Sequence, residues 1–337
     1  MPEGHSIHRL ARQFRDVFAG RRLAVTSPQG RFSAGAALLD GHTLVRSDAH
    51  GKHLFLRFEH SLVLHVHLGL YGAWDFGGDS EFNGASSIGA PRRVGEREIP
   101  GDRSAASTAS PEAASTGAPA TADSPSYAGP PEPVGAVRVR LASDHGWADL
   151  RGATTCAAIT DADAAAVLRR LGPDPLHSSA PPAMSIAGSG FAPVTGPAED
   201  GQCGREDFVN RVITRRTPVA TLLMDQKVIA GVGNVYRAEV LFRQRMDPLL
   251  PGRALSADDA ARLWDDTAAV MADGVRDGRI ITTTPGYWSD QGSLPPNEEA
   301  HFVYRRHGQP CRVCGTAVEL AEHAGRKLYW CPACQQS

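Results

Sequence analysis

The chain opens Met1-Pro2-Glu3, and removal of Met1 would leave Pro2 as a terminal secondary amine with a carboxylate beside it. An α-amino group titrates near about 8 and a lysine near about 10.4, so far more of the terminal amine is free base at neutral pH. When such an amine attacks a sugar or carbonyl carbon, the iminium formed has no N–H to lose, so it stays cationic and withdraws electrons. Glu3 would supply the proton. From these residues alone, a short solvated leader remains the other reading. A second set lies near the carboxyl end, where Cys311-x2-Cys314 is followed after sixteen residues by Cys331-x2-Cys334. Each pair can place two thiolates on one metal, and the spacing suits a closed, structural, tetrahedral zinc site built on a β-hairpin.

Other residues carry chemistry only in context. Within the hairpin, Gly325, Arg326 and Lys327 are expected in the turn, where the Arg326 guanidinium could grip a phosphate with two hydrogen bonds or serve only as a solvated tip. The run Gln226–Tyr236 puts Gly231 and Gly233 before a helix start with Asn234 in its first turn, and free N–H groups there favour a phosphate. These glycines join helix to helix with no Lys-Ser/Thr pair after them, which argues against a Rossmann or P-loop nucleotide site. Lys52 stands at the start of an apolar strand, as a functional cation or a strand-edge lysine. Leu70 and Tyr71 sit in a turn after a strand, either free to enter a base stack or folded back onto the core.

At 337 residues the chain can hold two domains, each with its own core. The net charge of −2 hides a segregation. Residues 1–60 and 205–253 each carry nine Lys/Arg against five Asp/Glu, and 301–337 carry five against two, whereas 77–134 and 254–300 are acidic. Three basic segments could converge on one polyanion, or solvated faces could scatter charge this way. With no charged-then-apolar leader and no long apolar run, the expectation is a cytoplasmic protein, associated with the nucleoid if it binds DNA. Six cysteines in a reducing compartment do not read as a disulfide framework, and Cys156 and Cys203 read as ordinary thiols.

The elements that must position these groups follow from periodicity. Apolar residues from Ile7 to Phe18 recur at helical spacing, predicting a helix over 6–18 stopped by Gly20. Short Val/Leu/Phe runs predict strands at 44–45, 52–58, 62–68, 137–141 and 146–150. Helices are predicted at 206–214, at 219–225 after Pro218, at 234–244, and from Ser256, with Asp259 three residues on, to about 275. The boundaries expected are an N-terminal β-sandwich domain over 1–177, a linker over 178–204, a helical domain over 205–300 and a zinc finger over 301–337. Residues 77–134 are almost free of large apolar side chains and predict a disordered low-complexity insertion.

The Met1-Pro2-Glu3-Gly4 start, Gly51-Lys52, the HLGLYG turn at 67–72, the LLMDQ…AGVGNVY block and the GRKLYWCPAC finger are specific in their order and spacing. Together they resemble the formamidopyrimidine-DNA glycosylase and endonuclease VIII family of base-excision repair enzymes. The likeness covers most of the chain outside 77–134 and 178–204. It implies an α+β fold: an N-terminal helix on a β-sandwich, then a helix-two-turn-helix domain with a zinc finger, with damaged double-stranded DNA in the cleft between. By the resemblance, Pro2 attacks C1′ of a flipped nucleotide and the iminium drives β and δ elimination. Glu3 is the general acid on the sugar ring oxygen, and Lys52, Asn234 and Arg326 hold phosphates. Leu70 and Tyr71 fill the space left by the base. One structural zinc and a monomer are implied, with no nucleotide cofactor and no membrane. Gly4, Leu70-Tyr71 and Tyr236-Arg237 resemble endonuclease VIII more closely, whose substrates are oxidised pyrimidines, and 280–299 depart from the formamidopyrimidine enzymes. An oxidised-purine glycosylase and a non-catalytic binder of damaged DNA are the alternatives.

Overall fold

The computed structural model describes residues 2–80, 82, 84–90, 127, 129–177 and 201–336. They form two compact units, and the division differs from the expected boundaries at 177 and 205. One unit comprises 10–48 and 55–159, while the other takes 2–9 and 49–54 together with everything from 160 onward. The residues around Pro2 and Lys52 thus belong with the helical and zinc-finger part of the chain. Composition could not show this, because these short segments are held by contacts far along the sequence.

Helix α1 (Gly4–Phe18) starts earlier than its apolar spacing predicts. In the first unit its residues Leu10, Phe14 and Phe18 are fully buried, and the Phe14 ring lies edge-on to Trp74 at 4.8 Å and to Phe76 at 5.2 Å. Strand β1 (Arg22–Thr26) precedes helix α2 (Ser33–Leu39) and strands β2 (His42–His50), β3 (His53–Phe58), β4 (Leu62–His67), β5 (Ala73–Gly78) and β6 (Ser87–Gly89). Strands β7 (Val137–Ala142), β8 (Gly146–Arg151) and β9 (Thr155–Thr160) complete the unit. The hydrogen-bonded order is β6-β5-β8-β7-β1-β2-β3-β4-β9. β1 is shared at the corner of the sandwich: Arg22 and Leu23 pair with β2, whereas Ala24 to Thr26 pair with β7. Five predicted strands are found, and β1, β5, β6 and β9 are additional to them.

The expected insertion begins later than residue 77. β5 runs to Gly78, Ala85 and Ile88 are buried, and Trp74 on β5 pairs with Ile88 on β6. Gln13 fixes this stretch by donating to the Ala85 carbonyl at 2.8 Å and accepting its N–H at 2.9 Å. Backbone pairing holds a segment whose composition is too polar to announce itself. Residues 91–126 lie outside the described residues, as do 178–200 of the expected linker.

The second unit adds helices α3 (Asp161–Leu168), α4 (Gly201–Ile213), α5 (Val219–Leu222), α6 (Asn234–Arg243) and α7 (Ala257–Asp277). α4 starts within the expected linker, and α5 is shorter than predicted because the chain turns at Leu223. Ser256 caps α7 by accepting the Asp259 N–H at 3.0 Å, and Gly278 ends it in the left-handed region at φ 77°. α4 packs on α7 through Phe208 and Trp264, over a core that includes Leu222, Ile229, Tyr236, Leu241 and Met271. The finger hairpin is β10 (Glu319–His323) with β11 (Arg326–Trp330). Arg326 therefore opens a strand opposite His323, and the turn is made by Ala324 and Gly325, both at positive φ, which corrects the expected turn position of Arg326 and Lys327. Among the described residues no helix is long and apolar enough to cross a membrane.

Glu239 on α6 ties the approach to the finger. Its carboxylate is fully buried and accepts the N–H groups of Phe302, Val303 and Tyr304 at 2.7–2.8 Å, along with the Thr282 hydroxyl. Glu239→Ala leaves three backbone donors without an acceptor. Urea unfolding is expected to show a loss of roughly 3–5 kcal/mol; a loss under about 1 kcal/mol would mean that the 302–304 turn is held by other contacts.

Candidate active site and zinc centre

The site is built on the amino end of α6. Gln226 organises the loop before it, accepting the Gly231 N–H at 3.0 Å and donating to the Val232 carbonyl at 3.0 Å. Gly4 then donates to the Gly231 carbonyl at 2.8 Å, which brings the buried Pro2 and Glu3 to the head of the helix. The free N–H groups predicted there are not free. Glu3 takes them, accepting from Gly233 at 2.8 Å, from Val235 at 2.9 Å and from Tyr236 at 3.5 Å. The helix end is occupied by the protein's own Glu3 carboxyl group rather than by a phosphate. Gly233 is required, because a Cβ at that position would lie 2.3 Å from the Glu3 carboxyl carbon.

Glu3 is fully buried, and burial raises its pKa above the usual carboxylate range, opposed by the charge of Lys52 and the three N–H donors. A carboxyl whose pKa is raised by burial keeps its proton to a higher pH than an exposed one, which suits general-acid work. Lys52 feels the converse: burial lowers its pKa, the Glu3 charge raises it, and Arg326 lowers it again. Its turn is fixed by the Gly51 N–H, which donates to Asp174 Oδ2 at 2.7 Å. Gly51 has a φ of 57°, and a Cβ there would meet Ala230 Cβ at 2.8 Å, so the approach of this turn to the 230–231 loop needs glycine.

Asn234 and Arg326 come to the same place through a shared acceptor. The Lys327 carbonyl next to Arg326 accepts Asn234 Nδ2 at 3.0 Å and Arg237 Nη2 at 2.9 Å, and Arg237 also donates to Asn234 Oδ1. Arg237 has no exposed surface; burial and the Arg326 charge lower its pKa to about 10, leaving it cationic at neutral pH. Glu3, Lys52, Asn234, Arg237 and Arg326 thus form one cluster, with three cations around one acidic group.

In the finger, Cys311 Sγ lies 3.9 Å from Cys334 Sγ and Cys314 Sγ lies 3.4 Å from Cys331 Sγ, and all four sulfurs are within 4.8 Å of one another. Four thiolates at about 2.3 Å from a tetrahedral zinc stand about 3.8 Å apart, so the set fits one closed structural zinc ion. Outer contacts orient it: the Val313 N–H points to Cys311 Sγ at 3.4 Å, and Gln335 accepts the Cys331 N–H at 2.9 Å.

Leu70 and Tyr71 belong to the other unit, in the turn from β4 to β5 closed by the Gly72 N–H on the Leu68 carbonyl at 3.0 Å. They do not fold back: Leu70 is 53% and Tyr71 79% exposed. Sequence reasoning missed Gln226, Asp174, and the roles of Arg237 and Glu239 as ties. The Gly172-Pro173-Asp174-Pro175 turn was a usable signal for Asp174; the others sit in helices or loops where only their partners mark them.

Three family models match this chain: the formamidopyrimidine-DNA glycosylase N-terminal domain over residues 1–107, its H2TH domain over 196–285, and the zinc finger found in FPG and IleRS over 308–336. The chain is 38% identical over 335 residues to Endonuclease 8 1 of Mycobacterium tuberculosis (strain CDC 1551 / Oshkosh), covering 99% of this chain and 100% of that protein. It is 40% identical over 118 residues to formamidopyrimidine-DNA glycosylase of Thermus thermophilus, covering 35% of this chain and 44% of that protein. Among solved structures it is similar to the MutM (Fpg) protein of Thermus thermophilus, with a TM-score of 0.61 and 25% identity over 99% of this chain and 98% of that one. The fold also matches Lactococcus lactis Fpg in complex with abasic-site DNA, at a TM-score of 0.64 and 17% identity over the whole of both chains. The helix-on-sandwich fold, the H2TH block and the four-cysteine finger define a base-excision repair glycosylase with lyase activity. The chain belongs to the formamidopyrimidine-DNA glycosylase and endonuclease VIII family of bifunctional DNA glycosylase/AP lyases.

Two outcomes follow from the geometry. Metal analysis of the purified chain is expected to give one zinc, lost in Cys331→Ser together with the finger's protection from proteolysis; retention of zinc by the variant would count against the four-thiolate centre. Arg237→Met is expected to weaken binding of an abasic-site duplex about tenfold, on the scale of about 1.4 kcal/mol for a charged hydrogen bond. In an Asn234→Ala background the same change should have much less effect, and full additivity would show that Arg237 does not act through Asn234.

Proposed function

We propose that the chain excises oxidised pyrimidines from duplex DNA, as a monomer, and then cuts the strand at the resulting abasic site, with Pro2 as nucleophile once Met1 is removed. The flipped nucleotide presents C1′ to the Pro2 nitrogen, and flipping costs a few kcal/mol, least at a damaged pair. Attack forms the N–C1′ bond as the bond from C1′ to the base breaks, the departing base taking up the amine proton. Glu3 then protonates the sugar ring oxygen, the C1′–O4′ bond opens and the iminium forms. The iminium then acidifies the C2′ proton, whose loss lets the 3′ phosphate leave by β elimination, and loss of the C4′ proton from the resulting conjugated iminium lets the 5′ phosphate leave by δ elimination. Lys52, Asn234 and Arg326 would hold the flanking phosphates, while Leu70 and Tyr71 would enter the space vacated by the base.

The observation that carries the reading is the burial of Glu3 beside Pro2, which raises its pKa above the usual carboxylate range. The pyrimidine preference rests on the full-length likeness to Endonuclease 8 1, whereas the likeness to a formamidopyrimidine-DNA glycosylase spans 35% of the chain.

Matched duplexes carrying thymine glycol, dihydrouracil or 8-oxoguanine test the substrate. Faster excision of the two pyrimidines is expected, and a preference for 8-oxoguanine would overturn the assignment. Sodium borohydride should trap Met1-free protein on DNA, and Pro2→Gly should lose most turnover while retaining DNA binding. As the acid, Glu3 works while protonated, so base excision should fall as pH rises through its raised pKa. Glu3→Gln should lower excision by at least ~100-fold yet still be trapped on a ready-made abasic site. Equal loss of both steps would remove Glu3 from the acid role.

A further inference from the structure

A cluster of imidazoles in the second unit has no part in the chemistry above. Asp174 is buried; its Oδ2 accepts His8 Nε2 at 2.8 Å and the Gly51 N–H at 2.7 Å, and its Oδ1 accepts the Leu176 N–H at 2.9 Å. Burial opposes its charge, yet the facing His8, His177 and His50 hold the carboxyl well below its ordinary range. Among the described residues no lysine or arginine pairs with it, and its one ion-pair partner is His8. A buried carboxylate needs a cation, which here must be a proton on an imidazole or a metal ion.

We propose that His8, Asp174 and His177 form a binding site for one divalent transition-metal ion, separate from the four-cysteine centre. The candidate ligand atoms of the three residues lie within 4.8 Å of one another. The His8 and His177 ring centroids are 5.6 Å apart at an interplanar angle of 74°. Two imidazoles bound at about 2.1 Å to one tetrahedral ion place their centroids about 5.3 Å apart, within a few tenths of an ångström of this spacing. Outer contacts match those of a metal site. His177 Nε2 donates to the Ala49 carbonyl at 2.8 Å, which fixes the tautomer and leaves the Nδ1 lone pair for a metal. Gly51 and Leu176 orient the carboxylate in the same way, and the His177 side chain reaches solvent, giving the ion a route in.

Two imidazoles and one carboxylate with open positions suit Zn(II), Co(II) or Ni(II) rather than Mg(II) or Ca(II). The bound ion would replace the His8–Asp174 hydrogen bond. It would link the first turns of α1 to residues 174–177, which in turn hold both Ala49 and Gly51 of the Lys52 turn. Metal binding would therefore stiffen the two segments that carry Glu3 and Lys52, and acid would release the ion by protonating the imidazoles.

The test uses the untagged, zinc-loaded full chain in equilibrium dialysis against Ni(II), with zinc and nickel both quantified. One nickel per chain in addition to one zinc is expected, with a higher melting temperature when nickel is present. His8→Gln and His177→Gln should each lose the nickel and the thermal shift while retaining the zinc; the exposed His177 is the variant least able to disturb folding. No nickel bound at neutral pH, or nickel that both variants retain, overturns the proposal.

Discussion

The seating of the Glu3 carboxylate on the amino end of α6 is the interaction on which the rest of the second unit depends. Three backbone N–H groups that a helix leaves unpaired find their acceptor in a residue more than two hundred positions away in sequence. One contact therefore satisfies the helix end, fixes the chain's first residues and places a carboxyl where burial weakens its acidity. Its close packing explains the glycines around it: Gly233 leaves room for the carboxylate, and Gly51 lets the Lys52 turn reach the 230–231 loop. Larger side chains would move the acid or the lysine before they affected any other part of the fold.

The finger is joined to the same helix by a different device. The Lys327 carbonyl accepts from both Asn234 and Arg237, so the strand that starts at Arg326 is indexed to the first two turns of α6. One turn further on, Glu239 gathers the N–H groups of residues 302–304 and sets where the chain enters the finger. Zinc then closes a hairpin too small to bury a core of its own. On such a frame the placement of Asn234 and Arg326 is a property of α6 as much as of the finger, since the helix carries Asn234 and its hydrogen bonds to Lys327 fix the strand that starts at Arg326.

Much of this was legible in the sequence where one residue type implies one partner. Two C-x2-C pairs imply a tetrahedral metal site, Ser256 with Asp259 implies a capped helix, and the spacing of Leu10, Phe14 and Phe18 implies a buried helix face. Legibility failed where the partner is distant or shared. Free N–H groups at the start of α6 read as a phosphate site because nothing local shows that Glu3 occupies them. Ala85 and Ile88 lay hidden in a polar run because pairing with β5 and Gln13, rather than composition, holds them. Asp174 and its histidines stand far apart in sequence and meet only when 2–9, 49–54 and 172–177 converge.

The sequence by itself therefore determined the inventory: a terminal proline beside a carboxylate, the zinc ligands, the glycine-broken helix pair and a turn carrying Leu70 and Tyr71. Local chemistry suffices for these, since spacing along one segment decides which side chains can act together. Tertiary structure alone decided which groups are charged, which donors are already used, and that Pro2, Glu3 and Lys52 belong with the helical unit rather than with the sheet that follows them in sequence. Burial and hydrogen-bond partners set those properties, and both come from residues that the chain brings together only on folding.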